Sequence, residues 1–290
     1  MKIVLFGEDL FTAAVLQSLL DDRHNDDGHK IEAVICPLYP SNQEYRGLQR
    51  AAQKNDIPFL HEKDVNADKI ADLLLRVDPD LIVSVHCKKI LEAGIFTRSR
   101  KGAINVHPSL LPKYRGLSPL HQALIHGDME TGVTIHFIDE GVDTGDILLQ
   151  EPIPLTRAAS IYDLQMKVLS VYKHLVPRAV RLIAAGNFSP RQQDAAAASW
   201  YGPLKDQDRE IDLKLPTFDI YNLIRAVSKP YKGAWYNNIT IWTSFIADPA
   251  TEKALSGQFD TLGIYPMQDK LVIRLHDGIL ISDDFEIATT

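Results

Sequence analysis

Three polar residues that suit acyl-group chemistry lie in two unusually dense stretches of the sequence. Asn105 and His107 belong to INVHPSLLPKYRG at residues 104–116, and Asp143 belongs to GVTIHFIDEGVDTGDILLQ at residues 132–150. An amide can bind a carbonyl oxygen, an imidazole can exchange a proton near neutral pH, and a carboxylate can orient that imidazole. Together they favour transfer of an acyl group. No GxSxG serine motif occurs, so the sequence does not favour a covalent acyl-enzyme.

The elements around these residues would bring them to one edge of a sheet. Asn105 and His107 alternate with apolar neighbours at the end of a predicted buried strand, so both side chains point to one side. Asp143 lies between Gly141 and Gly145, in a turn between two predicted strands. Each residue taken alone has an ordinary structural explanation. Because open α/β sheets bind ligands at the carboxyl ends of their strands, we expect the three to share a pocket.

The N-terminal half of the chain alternates short apolar strands with amphipathic helices. Strand patterns cover residues 2–6, 31–36, 81–85 and 102–106, and helical patterns cover residues 10–20, 43–54 and 67–77. This alternation predicts an α/β fold with a Rossmann-like, mostly parallel sheet. No GxGxxG motif follows the first strand, so NAD binding is not favoured.

The remainder of the chain predicts a second, smaller domain. A long helical pattern over residues 160–185 is followed by Gly186, and we place the end of the first domain, residues 1–186, at this point. Two prolines and an alanine run predict a linker over residues 187–205. A helical pattern over residues 217–226 and several short strand patterns then predict a small β-barrel over residues 206–290.

Composition narrows the possible functions. The chain has 290 residues, 45% of them hydrophobic and 24% charged, as expected of a globular protein. No apolar run is long enough to span a membrane, and Glu8 and Asp9 follow the first apolar stretch at once, so we expect neither a membrane nor a secreted protein. Cys36 and Cys87 form no CxxC pattern, which predicts reduced thiols, a cytoplasmic location and no metal. The net charge of −7 disfavours nucleic acid as a partner.

The dense stretches resemble the signature of the folate-dependent formyltransferases. The resemblance rests on four segments: NVHPSLLP at residues 105–112, RG at 115–116, TGVT at 131–134 and VDTG at 142–145. It implies a one-carbon transferase that takes its formyl group from 10-formyltetrahydrofolate without a metal. It also implies that Asn105, His107 and Asp143 are the catalytic residues.

The same resemblance extends into the C-terminal region. The segments ID at residues 211–212, IRA at 224–226 and KPYKGAW at 229–235 resemble the C-terminal OB-like domain of methionyl-tRNA formyltransferases and their relatives. It implies an OB-like barrel there.

The resemblance further implies where the pterin ring of the folate binds. Backbone amides of the loop after the strand ending near Val85, and of the turn before Asp143, would contact its edge. The implied cofactor-binding residues are His86, Cys87, Lys88, Ile90, Leu91, Asp139, Glu140, Gly141 and Val142. For Arg115 two roles are open, binding of an anionic group or an ion pair with a carboxylate.

The acceptor of the formyl group is the least determined part of this interpretation. Methionyl-tRNA formyltransferases usually carry a basic PDKPxGRG-like loop after the second strand, where this chain has CPLYPSNQEYR at residues 36–46. From Tyr201 onward there are 9 Lys and Arg against 13 Asp and Glu, which does not suggest a basic face for tRNA. We therefore favour a small-molecule amine, above all a nucleotide-linked amino sugar, with tRNA as an alternative.

A second alternative is hydrolysis. The chain also resembles the hydrolase domain of 10-formyltetrahydrofolate dehydrogenase, which passes the formyl group to water. That domain lacks the asparagine of the catalytic set, so Asn105 favours an amine acceptor here. A purely folate-binding role is disfavoured because all three catalytic positions are filled.

Overall fold

The computed structural model describes residues 1–22, 28–37 and 45–288, and the chain forms two compact units. The first unit comprises Met1–Gly116, Gly132–Ile153 and Lys167–Trp200, and the second comprises Leu117–Thr131, Pro154–Met166 and Tyr201–Thr290. The domain limits that we infer from the sequence, at residues 186 and 205, stay a proposal.

Strands and helices occur along the whole chain, and their bounds are as follows. The strands are β1 (Lys2–Gly7), β2 (Lys30–Cys36), β3 (Phe59–His61), β4 (Leu81–Val85), β5 (Ala103–His107), β6 (Arg115–Gly116), β7 (Glu130–Phe137), β8 (Ile147–Pro154), β9 (Trp200–Tyr201), β10 (Ala234–Tyr236), β11 (Ile239–Ile241), β12 (Phe245–Ile246), β13 (Gly263–Met267), β14 (Lys270–Arg274), β15 (Ile279–Ser282) and β16 (Phe285–Ile287). The helices are α1 (Leu10–Asp22), α2 (Tyr45–Lys54), α3 (Asp68–Val77), α4 (Ala93–Phe96), α5 (Pro119–Ile125), α6 (Ile161–Ala185), α7 (Thr217–Ala226) and α8 (Pro249–Ser256).

A seven-stranded sheet in the order β3-β2-β1-β4-β5-β7-β8 forms the centre of the first unit. Its first five strands run parallel, and β7 runs antiparallel to β5. The strands β1 and β4 are buried almost throughout, which explains their continuous apolar sequences. The predicted α/β, mostly parallel fold is confirmed.

The order in which strands are added to the sheet reverses between β1 and β4. From β1 it builds outward to β2 and β3, and then returns to place β4 on the other side of β1. Asp9 caps α1 at this point, because its carboxylate accepts hydrogen bonds from the backbone N–H groups of Phe11 and Thr12 at 3.0 and 3.1 Å. The carboxyl ends of β1 and β4 therefore open side by side.

The second unit is built mainly from antiparallel strands. A three-stranded sheet has the order β10-β11-β16, and a four-stranded sheet has the order β12-β15-β14-β13. The apolar faces of α7 and of both sheets meet in one core, which includes Ile220, Ile224, Ile241, Leu271 and Leu280. This arrangement confirms a small C-terminal β domain.

The sequence patterns missed some short elements. Strand β3 and helix α5 were not expected, and α8 was not expected among the C-terminal strands. Helix α8 has a local signal all the same, because Asp248 accepts from the N–H groups of Ala250 and Thr251 and Pro249 occupies the first turn. The first two residues of the predicted helix 43–54 lie outside the described residues.

The described residues contain neither a membrane-spanning helix nor a group of metal-binding side chains. No helix among residues 1–22, 28–37 and 45–288 is long and apolar enough to cross a membrane. Within the same ranges, no three His, Cys, Asp or Glu side chains are grouped so that they could hold a metal ion. The cytoplasmic location stays a prediction.

Candidate active site

Two neighbouring antiparallel strands carry three of the side chains in the candidate site. In the ladder between β5 and β7, Asn105 lies opposite His136, and His107 lies opposite Thr134. Side chains directly opposite each other in a ladder project from the same face of the sheet, and so do residues two apart on one strand. Asn105, His107 and His136 therefore share one face.

The turn between β7 and β8 carries the carboxylate to this face. A Cβ atom at Gly145 would lie 1.9 Å from the carbonyl oxygen of Phe137, so only glycine permits the tight return of the chain. Asp143 adopts a φ of 54°, a conformation that a non-glycine residue needs outside support to keep. The Gln193 amide supplies that support, because its Nε2 donates to the carbonyl oxygens of Asp143 and Gly145 at 2.9 and 2.8 Å.

The Asp143 carboxylate lies at the centre of the site, close to the side chains of Asn105, His107 and His136. Its Oδ1 lies 3.3 Å from Asn105 Nδ2 and 3.4 Å from His136 Nε2. Its Oδ2 lies 3.5 Å from His107 Nδ1 and accepts the Gly116 backbone N–H at 2.8 Å. The structure thus brings together all three residues that we predicted from the sequence.

His136 also belongs to this group, although it is not among the residues predicted from the sequence. Its ring is buried, and its Nε2 lies 3.2 Å from Asn105 Nδ2. The alternation of Thr134, Ile135 and His136 in a predicted strand was the signal available for it. Gln193 was missed as well, since it falls in the segment that we predicted to be a linker.

Main-chain carbonyl groups fix which nitrogen of each imidazole carries a proton. His107 Nε2 lies 2.8 Å from the carbonyl oxygen of Tyr114, and His136 Nδ1 lies 2.8 Å from that of Phe137. A carbonyl oxygen only accepts hydrogen bonds, so both of these nitrogens are donors. The other nitrogen of each ring, His107 Nδ1 and His136 Nε2, therefore faces Asp143. The Tyr114 carbonyl, rather than Asp143, sets the tautomer of neutral His107.

The electrostatics of the site favour a neutral imidazole beside an ionised carboxylate. Burial lowers the pKa of His107 below its ordinary value, and the charge of Asp143 opposes this shift only in part. Burial disfavours the ionised form of Asp143, but His107, His136 and the Gly116 N–H group together hold its pKa below the usual range. At neutral pH the Nδ1 of His107 is thus free to accept a proton, and Asp143 can stabilise the imidazolium that results.

The predicted folate loop after β4 has several of its polar side chains engaged with the protein. His86 Nδ1 lies 2.7 Å from Asp9 Oδ2, and His86 Nε2 lies 3.0 Å from the hydroxyl of Tyr172. Lys88 forms an ion pair with the buried Glu8 at 3.0 Å. These contacts position the loop, so its backbone, rather than these polar side chains, is available for polar contacts with a ligand.

The other residues of this loop differ in exposure. Burial raises the pKa of the Cys87 thiol to about 12, so it is protonated at neutral pH. Leu91 belongs to the core, whereas 65% of Ile90 is exposed. Ile90 is therefore the apolar side chain that the loop offers to a ligand.

The predicted folate-binding residues before Asp143 form a turn that is stabilised by hydrogen bonds within the turn itself. Asp139 Oδ1 accepts from the N–H group of Gly141 at 3.1 Å and from the Thr144 hydroxyl at 2.6 Å. Glu140 and Gly141 are exposed, and 43% of Val142 is exposed. Cys87 and Ile138 pack against the hydrophobic core cluster that contains Leu91. This turn and the loop after β4 therefore contact the same part of the core.

The side chain of Arg115 contacts Gln193 and Trp200. Its guanidinium is buried, donates from Nε and Nη2 to Gln193 Oε1 at 3.1 and 2.7 Å, and lies 4.9 Å from the centre of the Trp200 ring. Arg115 thereby holds Gln193, which in turn holds the Asp143 turn.

Comparison with known proteins agrees with this site. Residues 1–180 match the family Formyl transferase, and residues 203–285 match Formyl transferase, C-terminal domain. The methionyl-tRNA formyltransferase of Pelotomaculum thermopropionicum is 31% identical over 277 residues, which cover 91% of this chain and 85% of that protein.

Two solved structures resemble the fold over almost the whole chain. One is WlaRD, a sugar 3N-formyl transferase, with a TM-score of 0.74, 22% identity and coverage of 97% of this chain and 96% of that one. The other is the N-formyltransferase of Helicobacter canadensis, with a TM-score of 0.70, 22% identity and coverage of 97% and 98%. The two family matches and the 31% identical relative, which together span both units, show that this chain belongs to the family of folate-dependent formyltransferases.

Proposed function

We propose that this formyltransferase takes the formyl group of 10-formyltetrahydrofolate and transfers it to the amino group of a nucleotide-linked amino sugar or another small amine. One observation carries the proposal: Asn105, His107 and Asp143 meet on one face of the sheet, each within 3.5 Å of a partner in the group. Amide, neutral imidazole and carboxylate are the groups that direct formyl transfer to an amine requires.

The folate donor suits the two loops beside this site. Ile90 and Val142 expose apolar side chains that can cover a pterin ring, and the backbone of both loops is available for its polar edge. WlaRD was crystallised in the presence of 5-N-formyl-THF, and the H. canadensis enzyme in complex with folinic acid. Both support a reduced formylfolate as the donor.

The reaction follows from the positions of the protons. The acceptor amine attacks the formyl carbon, and one of the two Asn105 Nδ2 hydrogens turns from Asp143 Oδ1 to the oxygen that becomes negative. His107 Nδ1 accepts the proton that the amine loses, and Asp143 stabilises the imidazolium. The same proton then passes to the folate nitrogen as its bond to the formyl carbon breaks, so amide and tetrahydrofolate leave and His107 is neutral again.

Two lines of support favour an amino-sugar acceptor. Two solved structures that match the fold over 97% of the chain are those of a sugar 3N-formyl transferase with dTDP and of an N-formyltransferase with dTDP-3-aminofucose. The net charge of −7 also disfavours a polyanion as large as tRNA. Residues 38–44 of the altered loop at residues 36–46 lie outside those that the structure describes.

The second candidate acceptor is methionyl-tRNA. The observation in its favour is the name of the curated relatives, which are methionyl-tRNA formyltransferases at up to 33% identity and over as much as 99% of this chain. We rank it second because of the acidic C-terminal region.

A single assay separates these candidates. The purified protein is mixed with 10-formyltetrahydrofolate, and release of tetrahydrofolate is followed alone, with a panel of nucleotide-linked amino sugars, and with charged initiator methionyl-tRNA. We expect release that depends on an amino sugar, with a formylated sugar as the second product.

Each other outcome would contradict the proposal in a recognisable way. Steady release without any acceptor would establish hydrolysis. Efficient formylation of methionyl-tRNA would replace the sugar as acceptor, and no release with any acceptor would leave only folate binding.

A further inference from the structure

His136 occupies a place in the site that the proposed reaction does not use. Its ring is 2% exposed, and it faces the Asn105 amide across the β5–β7 ladder. One nitrogen, Nδ1, is bound to the carbonyl oxygen of Phe137 at 2.8 Å, and the other, Nε2, lies 3.2 Å from Asn105 Nδ2. Two titratable groups also face this ring, Asp143 from the turn after β7 and His107 from β5.

The positions of the protons on the His136 ring determine which hydrogen bond it can form with Asn105. Because Nδ1 is a donor to a carbonyl oxygen, the neutral ring has its lone pair on Nε2. That lone pair accepts a hydrogen from Asn105 Nδ2. Asp143 Oδ1, at 3.3 Å from the same nitrogen, is a second acceptor on this side. If the amide turned over, its oxygen would face two acceptors and gain no hydrogen bond.

We propose that His136 is a positioning residue for the transfer, which through its Nε2 lone pair keeps the Asn105 amide nitrogen on the side of Asp143 and His107. This inference rests on the proposed function, because the amide nitrogen is the group that binds the formyl oxygen.

A purely structural role would depend on the opposite ring nitrogen. In that case His136 would matter because Nδ1–H satisfies the Phe137 carbonyl group inside the sheet. Replacement by Gln or by Asn distinguishes these two roles, because the two amide side chains differ in length. The Gln side chain extends as far as the Nε2 position of histidine, and the shorter Asn side chain extends only to the Nδ1 position.

The experiment compares His136→Gln, His136→Asn and His136→Phe with the parent enzyme. We expect kcat of His136→Gln within about 3-fold of the parent, and kcat of the other two lower by on the order of 10-fold, the equivalent of one lost hydrogen bond. The KM for the formyl donor should stay unchanged in all three.

His29 provides a matched control. It is also a buried histidine with one nitrogen on a carbonyl oxygen, that of Leu19 at 2.7 Å, but it lies outside the site. His29→Gln and His29→Asn should lower the melting temperature without changing kcat. If His136→Phe does not fold, the two amide variants still decide the question.

Opposite results would overturn the inference. Recovery of kcat by Asn but not by Gln, or full kcat in all three variants, would show that His136 is structural. A measurement that does not depend on turnover tests the hydrogen bond even if the parent enzyme is inactive in the assay. In the 15N spectrum of the imidazole, Nδ1 of His136 should be protonated and Nε2 unprotonated, and Asn105→Ala should shift the Nε2 signal. An unshifted Nε2 signal would contradict the proposed hydrogen bond even if the formyltransferase assignment itself failed.

Discussion

The Asn105 amide donates to one oxygen of Asp143 and has a second acceptor in His136, so its orientation is set before any substrate binds. Replacing Asn105 with Ala removes the donor that stabilises the developing negative charge. We expect kcat to fall by on the order of 10²-fold, with little change in the KM for the formyl donor.

Steady-state kinetics with both substrates varied would measure this effect, and Asn187→Ala at an exposed position serves as control. A rise in the donor KM at constant kcat would instead make Asn105 a folate-binding residue.

The charge of Asp143 affects both the rate and its pH dependence. Burial lowers the pKa of His107, and Asp143 partly restores it. Asp143→Asn removes that contribution, so protonation of His107 requires a lower pH. The acid limb of kcat/KM should therefore move to lower pH, while the plateau value of kcat falls by about 10²-fold because the imidazolium loses its counter-charge.

A pH–rate profile from pH 4.5 to 9 would record both effects. Asp146→Asn, an exposed position on the same hairpin, should leave both quantities as in the parent. An Asp143→Asn enzyme with the parent profile would show that Asp143 only forms the turn.

At the scale of elements, the Asp143 turn depends on a segment that is distant in the sequence. Gln193 Nε2 holds two carbonyl groups of the turn, and Arg115 holds the oxygen of the same amide. Gln193→Ala leaves these buried groups without a partner. We expect a loss of about 2 kcal/mol in the free energy of unfolding and a lower kcat, because Asp143 no longer stays in its left-handed conformation.

Denaturant unfolding and kinetics on the same preparation would test this. Gln17→Ala, which removes an exposed amide from α1, is the matched control. A stable Gln193→Ala enzyme with full kcat would mean that the turn keeps its shape unaided.

Helix α6 is tied to the loop after β4 through one phenol group. The Tyr172 hydroxyl lies 3.0 Å from His86 Nε2 and 3.5 Å from the carbonyl oxygen of Val106, and the residue is fully buried. Tyr172→Phe should lower the free energy of unfolding by about 1–2 kcal/mol, since His86 Nε2 is left without its partner. Urea unfolding, with the exposed Tyr162→Phe as control, would measure the loss. Equal stability of the two variants would contradict a role for this hydrogen bond.

At the scale of the whole molecule, net charge governs encounters with nucleic acid. At −7, the protein should bind initiator tRNA only weakly at physiological salt. Fluorescence anisotropy with labelled tRNA between 50 and 200 mM salt would test this, and an unrelated tRNA is the control. Tight binding with a steep salt dependence would point to a local basic surface and to methionyl-tRNA as the acceptor.

The sequence by itself determined the chemistry and the fold class. Alternating apolar strands and helices are local patterns, and so are the Asn105-x-His107 spacing and the glycines around Asp143, because each reflects which neighbours a residue has along the chain. These patterns were sufficient to predict the parallel strands near the site and the three residues that meet there.

Only the tertiary structure decided how those residues are held. His136 reaches Asn105 through the register of an antiparallel pair, and Gln193 reaches the Asp143 turn from a segment 50 residues further along the chain. The Tyr114 carbonyl fixes the His107 tautomer because the chain folds back onto the ring. Contacts of this kind depend on strand register and chain reversal, which no local pattern encodes, and they set the proton positions on which the reaction depends.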